Sequence, residues 1–311
     1  MAEKLSVFNF PAEENKVLRD KLQTLRGNYG GNPIIGNVIS NVQKSKELLH
    51  AILSKHLHRS MTSKDPDFLS YSIFQFDNRA WSQHGKGANK NALMEIIPDA
   101  KTVLVNDEGL RNEAFINKLD IRVLALHCLI HEVSHSIAVR RRALKAVPGE
   151  GYVLHETQGV RHSIAPVSEV IESVAEGRSR ESKDFLVFFD ETLNDELAEE
   201  IVRELCSTTG LFSSAVLDTF YTNWRSQGDH FGESQRLLDG ITRSMAEKTG
   251  IEAKTIRNSL RRAITEGRNL FVGDSDMPAM DEVMGQDFTS DLSKIHDPVS
   301  IGAFIKKYRL E

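Results

Sequence analysis

From Leu110 to Val147 the chain contains neither glycine nor proline, and Gly109 on one side and Pro148 and Gly149 on the other punctuate its ends. The spacing predicts a short helix followed by a long one, the second opened by Asp120 as its N-cap. In the long helix Leu126, Ile130, Val133 and Ile137 form one apolar stripe, while Leu124, Cys128 and Ala138 border its histidines. A helix apolar nearly all round is a buried one. Arg140, Arg141, Arg142 and Lys145 would fall in its last turns, where cations complement the helix dipole.

Within this helix stands His131-Glu132-Val133-Ser134-His135, an H-E-x-x-H. Residues four apart lie about 40° apart around a helix, so both imidazoles point the same way and can share one tetrahedral Zn²⁺. Glu132 projects from the neighbouring side, in reach of a water on that metal without being a ligand. Such a centre takes a third protein ligand and keeps a fourth position for water. The plain alternative is a pair of core histidines beside an incidental glutamate. His127 continues the same face one turn earlier and reads as a buried or supporting histidine, and Cys128 as core packing.

The rest of the chain limits what surrounds this helix. Its 311 residues suggest one large domain or two modest ones. Lys and Arg number 39 against 44 Asp and Glu, a net charge of −5 that gives no reason to expect nucleic acid as a partner. Two cysteines, Cys128 and Cys206, exclude a disulfide framework and fit a reducing compartment. The N-terminus lacks the apolar core of a Sec signal peptide, and no run approaches the roughly 18 apolar residues of a membrane span. The expectation is a cytoplasmic protein, or one exported by a route that does not use such a signal, with no membrane partner.

Before the helix, residues 12–26 and 38–57 have helical spacing. FLSYSIFQF (68–76), ALMEIIP (92–98) and TVLVN (102–106) are β-favouring runs that predict a small sheet. After it come a loop over 148–165, a helix over 166–177 and a strand or buried segment at FLVFF (185–189). Helices then alternate with glycine stops at Gly210, Gly228, Gly240, Gly250 and Gly267. The fold class read from this is α+β: a small N-terminal β-sheet, the H-E-x-x-H helix, and a mainly α-helical C-terminal part. Three segments follow: 1–147 ending in the H-E-x-x-H helix, 148–272 carrying the third ligand, and 273–311 as a polar, loosely attached tail.

In the helix A-P-V-S-E-V-I-E-S-V-A-E-G, Glu169, Glu172 and Glu176 share one face, and Val167, Val170, Ile171 and Val174 form the opposite, core-facing one. H-E-x-x-H followed on a later helix by E-x-x-A-[E/D] resembles the gluzincin metallopeptidases. That resemblance implies a zincin-like fold and one Zn²⁺ per chain held by His131, His135 and Glu172. It puts Glu176 where the family has an acid supporting a metal-binding histidine. Ile171 and Gly177 depart from the family's usual Asn and aromatic, which keeps Glu169 and Glu176 open as ligands.

Other candidates compete. His155 and His162 lie a similar distance after H-E-x-x-H as the third histidine of Spartan-type zincins, and either could instead serve the transition state. His230 and Tyr221 lie in the helical half, where gluzincins place an oxyanion donor. His50, His56 and His58 sit on an exposed-looking helix end where no metal is expected. The function the resemblance implies is hydrolysis of a peptide bond in a polypeptide substrate, with metal-bound water activated by Glu132. ALMEIIP or TVLVN would offer an edge to which the substrate adds as a strand. Two rival readings stand beside it. One is a non-catalytic zincin-like binding or regulatory module. The other is a Spartan-like, nucleic-acid-associated protease, suggested by the arginine run and the basic helix TIRNSLRRAI (255–264).

Overall fold

A computed structural model describes residues 31–57, 60–61, 70–77, 81, 92–97, 102–138, 140–147, 151–176, 183–226, 230–266, 273 and 277–311. The helix expected over 12–26, His58 and the stops at Gly177, Gly228 and Gly267 lie outside them.

The apolar spacing at 38–57 becomes two helices, α1 (Pro33–Lys44) and α2 (Lys46–His56). Asn32 caps α1 by accepting from the Ile34 N–H at 2.9 Å. Pro33 stands in its first turn, where a missing N–H leaves no bond unmade. The three β-favouring runs form β1 (Ser72–Phe76), β2 (Met94–Ile97) and β3 (Thr102–Asn106), a sheet of order β1-β3-β2. β1 runs parallel to β3, and β2 antiparallel to it. All five residues of β3 are buried and both its edges are taken, so TVLVN offers no edge. Among the described residues β1 and β2 are the sheet's edge strands.

Asn106 caps α3 (Asp107–Ile116), and Asp120 caps α4 (Ile121–Ile137) by accepting from the Arg122 N–H at 2.9 Å. α4 ends well before Val147. The Ser136 hydroxyl donates to the Val133 carbonyl at 2.8 Å, and Ala138 turns extended (φ −60°, ψ 140°). Hydroxyls that compete for helix carbonyls weaken the helix beyond them. The arginine run therefore lies in a strand, β4 (Arg140–Val147), and not in helical turns. The stretch expected as a loop supplies β5 (Gly151–Gln158) and β6 (Arg161–Pro166), and β7 (Lys183–Phe185) completes an antiparallel sheet of order β4-β5-β6-β7. Cross-strand pairing overrode the local helix preference here.

α5 (Val167–Glu176) follows β6, and α6 (Val187–Thr209) follows β7 through Leu186, a buried residue held at φ 58°. α6 ends at Gly210 (φ 70°), a left-handed cap that glycine adopts without strain. Then come α7 (Ser214–Ser226), α8 (His230–Thr249) and α9 (Ala253–Glu266). Gly240 does not stop a helix: it sits inside α8, where a Cβ would lie 2.4 Å from the Leu310 carbonyl oxygen. It lets the C-terminal chain pack against the helix. The presumed tail is likewise built in. α10 (Met280–Met284), α11 (Phe288–Leu292) and α12 (Pro298–Tyr308) bury Met280, Phe288, Leu292, Ile301 and Phe304.

Two hydrophobic cores result. The first joins α1, α2, the β1-β3-β2 sheet and α4 to Leu197, Ile201, Val202 and Leu205 of α6. The second joins Phe189 and Leu193 of α6 to α8, α9 and the C-terminal helices. α6 thus crosses from one core to the other between Leu193 and Leu197. A division at residue 147 separates β4 from its partner β5, and one at 272 cuts through the second core. The fold is mixed α/β with small sheets. Among the described residues no helix is long and apolar enough to cross a membrane.

Candidate metal centre

α4 delivers its histidines to one side because Val123, Leu124, Leu126, Ile130 and Val133 are all buried around the rest of its circumference. The Nε2 atoms of His131 and His135 stand 2.9 Å apart. Opposite them lies the α6 segment Asp190-Glu191-Thr192-Leu193-Asn194-Asp195. Glu191 Oε2 comes within 3.0 Å of His131 Nε2 and 3.2 Å of His135 Nε2.

The outer side of each imidazole is also held. His131 Nδ1 lies 2.7 Å from Asp195 Oδ1, and His135 Nδ1 faces Asp190 Oδ2 at 3.4 Å. A carboxylate on Nδ1 fixes the proton there and leaves the Nε2 lone pair for a cation, the usual support of a metal-binding histidine. Asp190 is fixed in turn, its Oδ1 accepting from the Val160 N–H at 3.0 Å and its Oδ2 from Asn194 Nδ2 at 3.3 Å. Gly159 (φ 60°) permits this approach, since a Cβ there would meet Asp190 Oδ1 at 2.6 Å. Asp195 Oδ1 also lies 3.4 Å from Nε2 of the fully buried His127, whose Nδ1 meets the Tyr221 hydroxyl at 3.1 Å.

Among the described residues, two groups bring three such donors within 4.8 Å of one another: His131–His135–Glu191 and His127–His131–Asp195. Ligands about 2.1 Å from a tetrahedral ion stand about 3.4 Å apart. The first group is close to that and needs only a small outward movement. In the second, His131 Nδ1 and Asp195 Oδ1 stand 2.7 Å apart, further from that spacing. The first group is the nearer to the geometry of a bound metal ion.

The electrostatics agree. Burial opposes charge on His131, but Asp195 and Glu191 outweigh it and raise its pKa well above the ordinary value. Burial opposes charge on His135 too, and Glu191 with Asp190 still pushes it up to about 10. Glu191 is held well below the usual range against its own burial by His135 and His131, and Asp195 falls to about 2 for the same reason, through His131 and His127. With the imidazoles neutral, the carboxylates of Glu191, Asp195 and Asp190 would leave the cluster negative, and a divalent cation would balance that charge. Burial lifts Glu132 to about 7, and His131 and His135 only partly counter it. Its Oε2 lies 3.4 Å from the Ile96 N–H of β2. Burial pushes the Cys128 thiol far up, though the residue is only half-buried and lines the cleft, and burial makes the enclosed His127 harder to protonate.

The cluster opens into a cleft of about 620 Å³ between β2 and α4 on one side and Phe188, Trp224, Ile295 and His296 on the other. Ile295 and His296 belong to the segment expected to be a tail. The remaining candidates land elsewhere. Glu172 is exposed on α5, Glu169 is half-buried, and neither joins a donor group with the histidines. The α5 face meant for the core is only partly covered, with Val170 buried and Ile171 45% exposed. Among the described residues it is Glu191, and not Glu172, that stands beside the two histidines. The side chains of Glu176 and His230 lie outside the described residues. His155 and His162 stack on β5 and β6 with ring centroids 5.6 Å apart, and neither joins the metal-competent groups. Tyr221 is fully buried against His127 and does not reach the cleft. His56 is no exposed helix end, since it packs against α6 with its ring nitrogens 3.3 Å from Glu200 and 2.8 Å from Glu204.

Glu191, Asp195 and Asp190 were missed by the sequence reading. The signal was there: E-T-L-N-D repeats the spacing of E-S-V-A-E, an acid four residues after a glutamate. Comparison with family models, with curated proteins and with solved structures returns no match.

Proposed function

We propose that this chain is a zinc-dependent metallopeptidase of gluzincin type, with Zn²⁺ held by His131, His135 and Glu191. One observation carries the reading. Glu191 Oε2 closes on both histidines while Asp195, four residues on, grips His131 Nδ1 at 2.7 Å. This is the ligand-and-support pair that the resemblance assigned to Glu172 and Glu176, realised on the next helix.

A zinc ion in that place would lower the pKa of water and polarise the scissile carbonyl. Glu132, with its pKa near 7, accepts the proton of the attacking water and gives it to the amine nitrogen as the C–N bond breaks. Asp195 and Asp190 hold the two imidazoles in place. β2 has a neighbour on one side only among the described residues, and its Met94, with Leu93 just before it, lines the cleft. An extended substrate adds to that edge with its scissile bond over the histidines. The basic helix α9 does not favour a nucleic-acid reading, because Arg257 and Arg261 are engaged by Glu196, Glu200 and Asp239.

The test compares new N-termini in a whole proteome exposed to zinc-loaded wild type and to Glu132→Gln. Cleavage should fall by at least about 10²–10⁴-fold while zinc content and fold persist. Identical profiles would end the peptidase reading and favour a binding module.

A further inference from the structure

His127 is 1% exposed and lies one turn before His131, in the buried stretch of α4 that also holds Leu124, Leu126 and Ile130. An imidazole sealed among apolar side chains costs free energy unless its ring nitrogens find partners. Both do. Nε2 lies 3.4 Å from Asp195 Oδ1, the same oxygen that stands 2.7 Å from His131 Nδ1. Nδ1 lies 3.1 Å from the Tyr221 hydroxyl. An ionised carboxylate only accepts, so the His127 nitrogen facing Asp195 carries the hydrogen. Burial makes His127 harder to protonate, and a neutral imidazole has a single N–H. Its Nδ1 is therefore the acceptor, and the Tyr221 hydroxyl is the donor.

Tyr221 is set in turn by the helix that carries Asp195. The Arg203 guanidinium of α6 lies 4.8 Å over the tyrosine ring, and Glu199 at 2.9 Å and Asp218 at 2.7 Å fix that guanidinium. Trp224, three residues along α7, stands edge-on to the His127 ring with centroids 4.8 Å apart. The imidazole is thus held in its plane as well as at its two nitrogens.

We propose that His127 and Tyr221 are positioning residues of the metal centre, which aim the Asp195 carboxylate at His131 and so the His131 Nε2 lone pair at the ion. The proposal rests on the metal reading given above. A carboxylate held by one N–H can still turn about its side-chain torsions. A second N–H on the same oxygen, from the same helix one turn earlier, restrains that rotation and sets Asp195 against α4 itself. The outer partners of a metal-binding histidine influence affinity through such orientation. The plain alternative is a core histidine whose polar atoms are merely satisfied, and it leaves metal binding untouched.

The test measures the zinc affinity of the full chain by competition with a chromophoric chelator, and the visible spectrum with Co²⁺ in place of zinc. His127→Leu fills the space without a donor, whereas His127→Gln can present an amide N–H where Nε2 stood. His127→Leu should bind zinc about tenfold more weakly and shift the cobalt bands, and His127→Gln should recover most of both. Tyr221→Phe should cost about threefold alone and nothing further beside His127→Leu, because it acts through His127. The proposal is overturned if the folded variants keep wild-type affinity and cobalt bands and lose only stability to urea, or if the two losses simply add. Should His127→Leu fail to fold by near-UV circular dichroism, Tyr221→Phe decides alone, and wild-type affinity and bands in it overturn the proposal. Wild type that bound no zinc would defeat the metal reading and this proposal together. Wild type and variants binding equally well would leave the metal reading standing and overturn the proposal only.

Discussion

α5 and α6 carry nearly the same acidic pattern, Glu172 with Glu176 on one and Glu191 with Asp195 on the other, and among the described residues it is the acids of α6 that reach the histidines. The difference lies in what surrounds the carboxylates. α6 runs for 23 residues through both cores, with Phe189, Leu193, Leu197 and Ile201 fully buried. α5 has ten residues and leaves Ile171 45% exposed. Acids at helical spacing are ordinarily a solvated face. They become ligands when apolar residues on both sides of them are buried firmly enough to aim them at a partner helix.

The largest effect expected is on metal retention. Glu191→Ala should weaken zinc binding by more than the roughly 100-fold that loss of a supporting residue can cost, and Glu172→Ala should leave it unchanged. Isothermal titration of the two variants with zinc decides this. Equal losses, or a loss only in Glu172→Ala, would break the comparison.

Packing gives the next effect. Leu193→Ala removes a fully buried side chain between Glu191 and Asp195 and should lower stability by about 2–5 kcal/mol, while Ile171→Ala on α5 should cost well under that. Urea unfolding of both variants measures the gap. Similar losses would mean that α5 is as deeply anchored as α6.

A good part of the molecule was legible in the sequence. Capping by Asp120, the three strands before α4 and the direction of His131 and His135 followed from spacing and turn chemistry. What could not be read was non-local. β4 looked helical because Arg140, Arg141, Arg142 and Leu144 accept either state, and only pairing with β5 decided it. The C-terminal residues looked like a tail because Met280, Phe288 and Ile301 are scattered among polar neighbours, and their burial depends on α8 and α9. Glu191 was hidden for the same reason: the helix nearest to H-E-x-x-H in sequence was not the one packed against it.

Smaller effects sharpen the account of how α6 aims its acids. Asp195→Asn should weaken zinc binding by about 10–100-fold, because the amide cannot hold His131 Nδ1–H as strongly as the carboxylate does. A full-strength site in that variant would show that His131 needs no such support.

The smallest effect is at the far end of α6, where Glu200 meets His56 of α2 and Arg261 of α9. Burial disfavours its charge, yet these partners bring its pKa down to about 2 from 4.5. A lowered carboxylate contributes stability above its unfolded pKa and loses it as the pH falls towards the folded value. The difference in melting temperature between wild type and Glu200→Gln should therefore be greatest near pH 6 and shrink from about pH 4.5 downward. A difference independent of pH over that range would mean that the carboxylate's charge does not anchor α6.

The central claim is that α6, through Glu191, completes the metal centre begun on α4. Anomalous diffraction at the zinc edge from crystals grown with zinc tests it most directly. The account predicts one strong peak per chain about 2.0–2.2 Å from His131 Nε2, His135 Nε2 and a Glu191 oxygen, with Asp195 still on His131 Nδ1. A peak bound by Glu172, by His155 or His162, or by the His127–Asp195 side of His131 would contradict it, as would no peak at the histidine pair.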